Sequence, residues 1–466
     1  MEGTEANITP GLSGVSILEL VSALLLGGVV LVIGCIVRRL SRSGKSTDST
    51  KNATESEKVK FEDTTDSTSG STGAGATGGG AGSNKRAKNK KRREAQQEFT
   101  HSWMVGALKG HTARVLDMNF SSNGKFLASC AEDRTVLLWN TKELTVKEKR
   151  SLRVNIEFDH ATLIRWSPDG KAFIIHKGVA NTIEVYKISK KPDGSLASAT
   201  KALEFPKRHV EDVVGMDIAC TGKYIMTCSK TNDLIIWDLK GQILATIELY
   251  LGSTYRARIS PCGRFVAASG FTPDVNVLEV VFTKSGEFKQ VARAFDLAGH
   301  SSGILDFNFS ADSSHMTTIS KDGTFRLYNT KIEFEKGEDP HVLLTGTWDT
   351  AATANIALSP NSEVVAIAHG SSLSFYSTIT GSLDNTIEDI FEGPITSLAF
   401  DAVGEYVLVS GYKHIKVFRN VTGYRVAIES AKRKLTQKQT SATKERLEKL
   451  IVDNREFLQA MGEKCP

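Results

Sequence analysis

The sequence predicts an all-β chain built from a recurring unit of short strands, and three observations carry that expectation. Residues 108–140 hold three apolar/polar alternations, at 115–120, 126–130 and 135–139. Period-two alternation marks half-buried strands. Ser122-Asn123-Gly124 and Glu132-Asp133-Arg134 separate the runs with residues suited to turns. The unit opens on Gly110-His111 and closes on Trp139-Asn140, and it recurs from Arg208-His209 to Trp237-Asp238 and from Gly299-His300 to Tyr328-Asn329. In all three copies the histidine precedes the closing aromatic by 28 positions.

These residues resemble a WD repeat, the four-stranded blade of a β-propeller. The resemblance implies a buried relay in which a histidine, a turn aspartate, a strand Ser or Thr and the closing Trp satisfy one another. His111, Ser129, Asp133 and Trp139 match that pattern. His300, Thr318, Asp322 and Tyr328 match it with Tyr in place of Trp. His209, Thr227 and Trp237 fit as well, but Thr231 holds the turn position and leaves that relay without its carboxylate. Buried polar groups need partners, and this spacing repeats with the fold, so the set is read as structural and not catalytic.

Seven repeats are counted from 99 to 420. Their third strands end at Trp139, Tyr186, Trp237, Leu278, Tyr328, Tyr376 and Phe418. Copies lacking the histidine keep turn markers such as Ser167-Pro168-Asp169-Gly170, Ser260-Pro261-Cys262-Gly263 and Ser359-Pro360, and Asp159-His160 is the candidate source of the relay histidine of the second. The expected fold is a seven-bladed WD-repeat β-propeller, its ring closed by pairing residues 102–108 with the last blade.

Ahead of the propeller, residues 20–37 carry no charge, and the apolar run reaches back to 15. At 1.5 Å per residue such a helix spans roughly 27 to 34 Å, enough to cross a bilayer. Glu2 and Glu5 precede it, and Arg38, Arg39, Arg42 and Lys45 follow. The positive flank places the rest of the chain in the cytosol. A cleaved signal peptide is the rival, but it calls for a basic start and a shorter core. The expected division is a short lumenal segment (1–14), a transmembrane helix (15–37), a disordered linker (38–98), the propeller (99–420) and amphipathic C-terminal helices (421–466).

The linker is rich in Ser, Thr and Gly, then basic at Lys85, Arg86, Lys88, Lys90, Lys91, Arg92 and Arg93. That cluster is a candidate contact for anionic lipid or for RNA and the ribosome, against the plain alternative of a solvated tether. No aromatic is interleaved, which weakens single-strand recognition. After 422 the period changes to 3.6. Leu447, Leu450, Ile451, Leu458 and Met461 share one helical face and Ile428, Ala431 and Leu435 another, with a break near Thr440-Ser441. The helices pack either on their own propeller or on a partner.

The formal charge of +5 on 466 residues is too small to imply a nucleic-acid partner. The six cysteines form no CxxC pair and read as thiols of a reducing compartment. There is no phosphate loop, HExxH, GxSxG or metal spacing, so neither cofactor, metal nor small-molecule substrate is expected, and the chain reads as a non-enzyme.

Residues 119–142, 159–170, 260–280 and 286–301 bear a closer resemblance, to the transducin beta-like protein 2 family of membrane-anchored WD-repeat proteins. That resemblance implies a single-pass protein of the endoplasmic reticulum membrane. It further implies a cytosolic propeller acting as a scaffold in the unfolded protein response. The implied partners are the reticulum stress kinase and translation initiation components. The alternative is a membrane-bound regulator of a small GTPase in secretory traffic, of the exchange-factor type.

Overall fold

In the computed structural model of this chain, residues 99–465 are described. The expected transmembrane helix and the linker with Lys85 to Arg93 lie outside the described residues.

The described chain forms seven four-stranded antiparallel sheets arranged as a seven-bladed propeller. Blade 1 runs outward through Val115–Phe120, Phe126–Ala131, Thr135–Asn140 and Ser151–Asn155. Its second strand is buried at every position and its fourth mostly exposed, because the middle strands are sandwiched between neighbouring blades. The closing aromatic stands opposite an apolar residue of the second strand: Trp139 faces Leu127, Trp237 faces Ile225 and Tyr328 faces Met316. Where blades press closest, side-chain bulk is excluded. A Cβ on Gly215 would lie 2.6 Å from the Ala257 carbonyl oxygen of the next blade.

First strands pack on one another around the axis, and Ile395–Phe400 of blade 7 returns to Val115–Phe120. Six of the seven pair with their second strand through a one-residue bulge at equivalent positions, for example between Val115 and Asp117. A bulge re-aims the side chains after it, so the same two positions of those six first strands turn toward the axis. Met104–Lys109 pairs antiparallel with His414–Arg419 as the fourth strand of blade 7. The chain start thereby covers the edge left by the chain end.

Two helices follow, α1 (Val421–Leu435) and α2 (Ser441–Ala460). Asn420 caps the first by accepting from the Gly423 N–H, and Thr440 caps the second through the Thr443 N–H. α1 lies on strands Val364–His369 and Ser372–Ser377 of blade 6, and α2 packs back on α1, with Tyr424 stacked on Phe457 at 4.1 Å. Val421, Val426, Ile428, Ala431, Ile451 and Leu458 join one core with Phe375, Phe418 and Trp103. Of the two open readings, the helices therefore take the first: they cover their own propeller. Leu450 departs from its expected face and is 37% exposed.

Candidate functional site

The relay residues come together inside the blades. Trp139 donates its Nε1–H to Ser129 Oγ at 3.0 Å, and Ser129 Oγ lies 2.8 Å from His111 Nε2. His111 Nδ1 faces Asp133 at 3.2 Å. Since Asp133 only accepts, the imidazole holds its proton on Nδ1, and every group is satisfied with His111 neutral. Burial lowers the His111 pKa, and Asp133 offsets this only in part. Burial alone would raise Asp133, but hydrogen bonds from Thr135, the Thr112 N–H and His111 hold it below the usual carboxylate range.

Three expectations are corrected. In blade 3 the relay has its carboxylate: Asp233 Oδ2 lies 3.3 Å from His209 Nδ1, and Thr227 connects His209 Nε2 (2.7 Å) to Trp237 Nε1 (2.8 Å). Thr231 and Asp233 exchange the places that Asp133 and Thr135 hold in blade 1, so the same corner is filled from two residues further on. In blade 5, His300 bridges Thr318 (2.7 Å) and Asp322 (2.9 Å), but the Tyr328 hydroxyl donates to the Ala298 carbonyl at 3.0 Å. The phenolic proton is used there and not on Thr318, unlike the Trp Nε1–H of blades 1 and 3, which goes to the strand hydroxyl. In blade 2 the buried imidazole is His176, held by Thr162 (2.6 Å) and Asn181 (2.8 Å). Asp159 instead accepts the N–H groups of Val179 and Ala180, and the His160 side chain is about one-third exposed.

A second buried constellation, which no local pattern announces, links blades across the axis. Asp117 pairs with Arg165 and accepts the Ile164 N–H at 3.1 Å. Asp217 lies 3.9 Å from Arg165 and accepts the Ile259 N–H at 3.2 Å. Asp306, wholly buried, meets Arg258 at 3.0 Å and Arg256 at 3.5 Å and accepts the Ile356 N–H at 3.0 Å. Carboxylates from blades 1, 3 and 5 thus alternate with guanidiniums from blades 2 and 4. They surround a lower axial chamber of about 490 Å³.

Call the upper face the one bearing the links from each fourth strand to the next first strand and those between second and third strands. There the axis opens into a chamber of about 570 Å³ with Arg114, Lys230, Arg256 and Lys321 on its wall. The same face exposes large apolar side chains from the connections of blades 2 to 4: Phe158, Val179, Val210, Tyr250 and Phe271, each at least two-thirds accessible. Phe158 and Tyr250 stand at φ values of 60° and 55°, a left-handed backbone that bulky residues rarely adopt. Among the described residues no group of His, Cys, Asp and Glu is placed to hold a metal ion.

The family model for the WD domain, G-beta repeat, matches residues 102–140 and 291–329. Transducin beta-like protein 2 of Homo sapiens is 43% identical over 375 residues, covering 80% of this chain and 84% of its own length. Its Mus musculus counterpart is 41% identical over 374 residues, 80% and 85% of the two chains. SEC12-like protein 1 of Arabidopsis thaliana is 29% identical over 186 residues, 38% of this chain and 40% of that protein. With the relay geometry in two separate blades and identity across four-fifths of its length, this chain belongs to the transducin beta-like protein 2 family of WD-repeat propellers.

Proposed function

We propose that the chain is a non-catalytic scaffold. It is tethered to the endoplasmic reticulum membrane by residues 15–37, with the propeller in the cytosol holding partner proteins on its upper face. The partners that family resemblance supplies are the reticulum stress kinase and translation initiation components. The observation that carries the reading is the set of exposed apolar side chains on one face, Phe158, Val179, Val210, Tyr250 and Phe271. Large apolar side chains exposed together on one face are a mark of protein interfaces, and the left-handed backbone of Phe158 and Tyr250 supports the reading further. The relay and the axial ion pairs are internally satisfied and are left without a chemical task.

The test is co-precipitation of the stress kinase with the full-length chain from reticulum membranes. Wild type is compared with a Phe158→Ser, Tyr250→Ser, Phe271→Ser variant. Loss of two or more such side chains should weaken capture by about tenfold or more, with the melting temperature unchanged. Undiminished capture by the variant sinks the upper-face assignment. Acceleration of nucleotide release from a secretory small GTPase by the purified chain would instead favour the exchange-factor alternative.

A further inference from the structure

Charge is arranged differently along the two halves of the axis. In the lower chamber the guanidiniums of Arg165, Arg256 and Arg258 face the carboxylates of Asp117, Asp217 and Asp306. The wall of the upper chamber carries Arg114, Lys230, Arg256 and Lys321 and no aspartate or glutamate. Arg256 is engaged from below by Asn355 at 2.5 Å and by Asp306. Lys321 finds only a neutral partner: its Nζ bonds the Tyr255 hydroxyl at 3.0 Å and lies 4.6 Å above that ring. Arg114 and Lys230 form no side-chain hydrogen bond or ion pair with any described residue. Cations gathered from blades 1, 3, 4 and 5 repel one another unless an anion joins them.

We propose that the upper chamber binds an anionic segment of a partner protein, a phosphoserine or phosphothreonine or a run of carboxylates. Guanidinium groups suit the planar, bidentate recognition of phosphoryl and carboxylate oxygens, and two of the four cations are arginines. The rim explains why the ligand is a peptide. Thr254 donates its N–H to the Lys230 carbonyl, Phe271 to that of Ser253, and Lys321 to that of Gly303. Gly303 abuts the Phe271 backbone, where an added Cβ would lie 2.9 Å from the Phe271 oxygen. The exposed Phe271 ring therefore stands on the rim between Lys230 and Lys321. An acidic peptide can set its anion in the chamber and an apolar neighbour on that ring. A nucleic acid needs a continuous basic track and successive free stacking faces, whereas the wall's aromatic, Tyr255, is covered by Lys321 and Phe271 supplies one exposed ring on the rim.

The inference rests on the reading of the upper face as protein-binding, and the experiment separates the two. Full-length chain in detergent is titrated into a fluorescent octapeptide bearing two phosphoserines and one phenylalanine, into its unphosphorylated twin, and into an oligouridylate of matched charge. Expected is binding of the phosphopeptide at least about tenfold tighter than either control. That binding should weaken with salt, as screened charge contacts do. A Lys230→Glu, Lys321→Glu variant should lose it while melting like wild type, since both side chains are exposed. Arg114→Gln, a milder change, should lose part of it. Equal affinity for the twin, stronger binding of the oligouridylate, or full affinity in the Glu variant each overturns the anion site. If the apolar variant loses kinase capture while wild type ignores the phosphopeptide, the scaffold reading stands and the anion site falls. If the phosphopeptide binds and kinase capture is indifferent to the apolar variant, the anion site stands and the assignment of the kinase to the upper face falls.

Discussion

Burial holds His111, His209 and His300, and His176 in blade 2, below the ordinary histidine range, because an imidazolium there would lose its water. The unfolded chain therefore binds more protons than the folded one once the pH falls below about 6.5, and stability that is complete above that value is lost on acidification. Asp322 lies well below the carboxylate range: burial opposes this, but bonds from Thr324, the Ser301 N–H and His300 prevail. Its contribution is present above about pH 4 and is lost below it. Denaturant midpoints should fall between pH 7.5 and 5.5 with the slope m unchanged, and equal midpoints would count against neutral buried imidazoles. In blade 3, Asp233→Ala should cost about 1 to 3 kcal/mol by stranding His209, more than Thr231→Ala, as read from paired denaturation curves. Cysteine reactivity offers a third residue-scale test. Asn123, Asp169, Asp312 and Asn361 accept the serine hydroxyl two residues earlier at 2.6 to 2.9 Å, and Cys262 takes that place beside Ser260 at 3.2 Å. Burial raises its pKa, but the Ser260 hydroxyl and the Arg264 N–H outweigh this and hold the thiol below its ordinary value. Burial pushes the Cys228 thiol up to about 12 and Cys130 well above the ordinary value. Brief iodoacetamide treatment followed by peptide mapping should label Cys262 before Cys220 and leave Cys130 and Cys228 unlabelled.

At the scale of elements, two devices hold the ring. Neighbouring blades are pinned near the axis by Asp117, Asp217 and Asp306, each accepting a strand N–H of the next blade and meeting a guanidinium of an adjacent one. Asp117→Ala leaves Arg165 buried with a carboxylate missing and should cost about 3 to 5 kcal/mol. Replacing Asp117 and Arg165 together by leucines should cost less than the single change, which a double-mutant cycle will show. The closing strand is locked by the C-terminal helices. Glu463 accepts the Trp103 Nε1–H at 2.6 Å and pairs with Arg425 at 2.6 Å, and Trp103 is 1% exposed. A chain ending at residue 435 loses α2 and this carboxylate, so Trp103 emission should shift to the red and the closing strand should become protease-sensitive. Cleavage within 99–109 no faster than in the full chain would show that α2 is dispensable for closure.

For the whole molecule, the proposed partners depend on the proposed membrane orientation, with the propeller in the cytosol. Sequons stand at Asn7, Asn52, Asn119, Asn308 and Asn420, and of these only Asn7 precedes the apolar run. With the expected orientation, protease added to intact microsomes digests the propeller, and glycosidase leaves the mobility of its fragment unchanged. A protected propeller, or a glycan on Asn52, would move the domain to the lumen and remove the cytosolic scaffold reading together with the GTPase alternative. The polarity of the propeller bears on the same question of partners: the guanidiniums of the lower chamber face carboxylates, whereas the upper chamber carries Arg114 and Lys230 with no aspartate or glutamate on its wall.

The blade was legible because its information is local. Alternation, turn residues and the 28-residue interval from histidine to aromatic all lie within one copy, and hydrogen-bond demand inside a buried sheet fixes what must stand there. The helices were legible for the same reason, since a 3.6-residue stripe is read within a few turns, and Thr440 marks the break by composition alone. Which corner Asp233 fills, where the Tyr328 proton goes, and that His176 and not His160 is buried depended on side-chain reach in three dimensions. The axial chambers lie further still from sequence. Their walls take one or two residues per blade, with Asp117 and Arg165 separated by 48 positions and the upper cations spread from Arg114 to Lys321. Only ring closure brings those scattered positions to a common axis, so the axial chambers were decided by the tertiary structure.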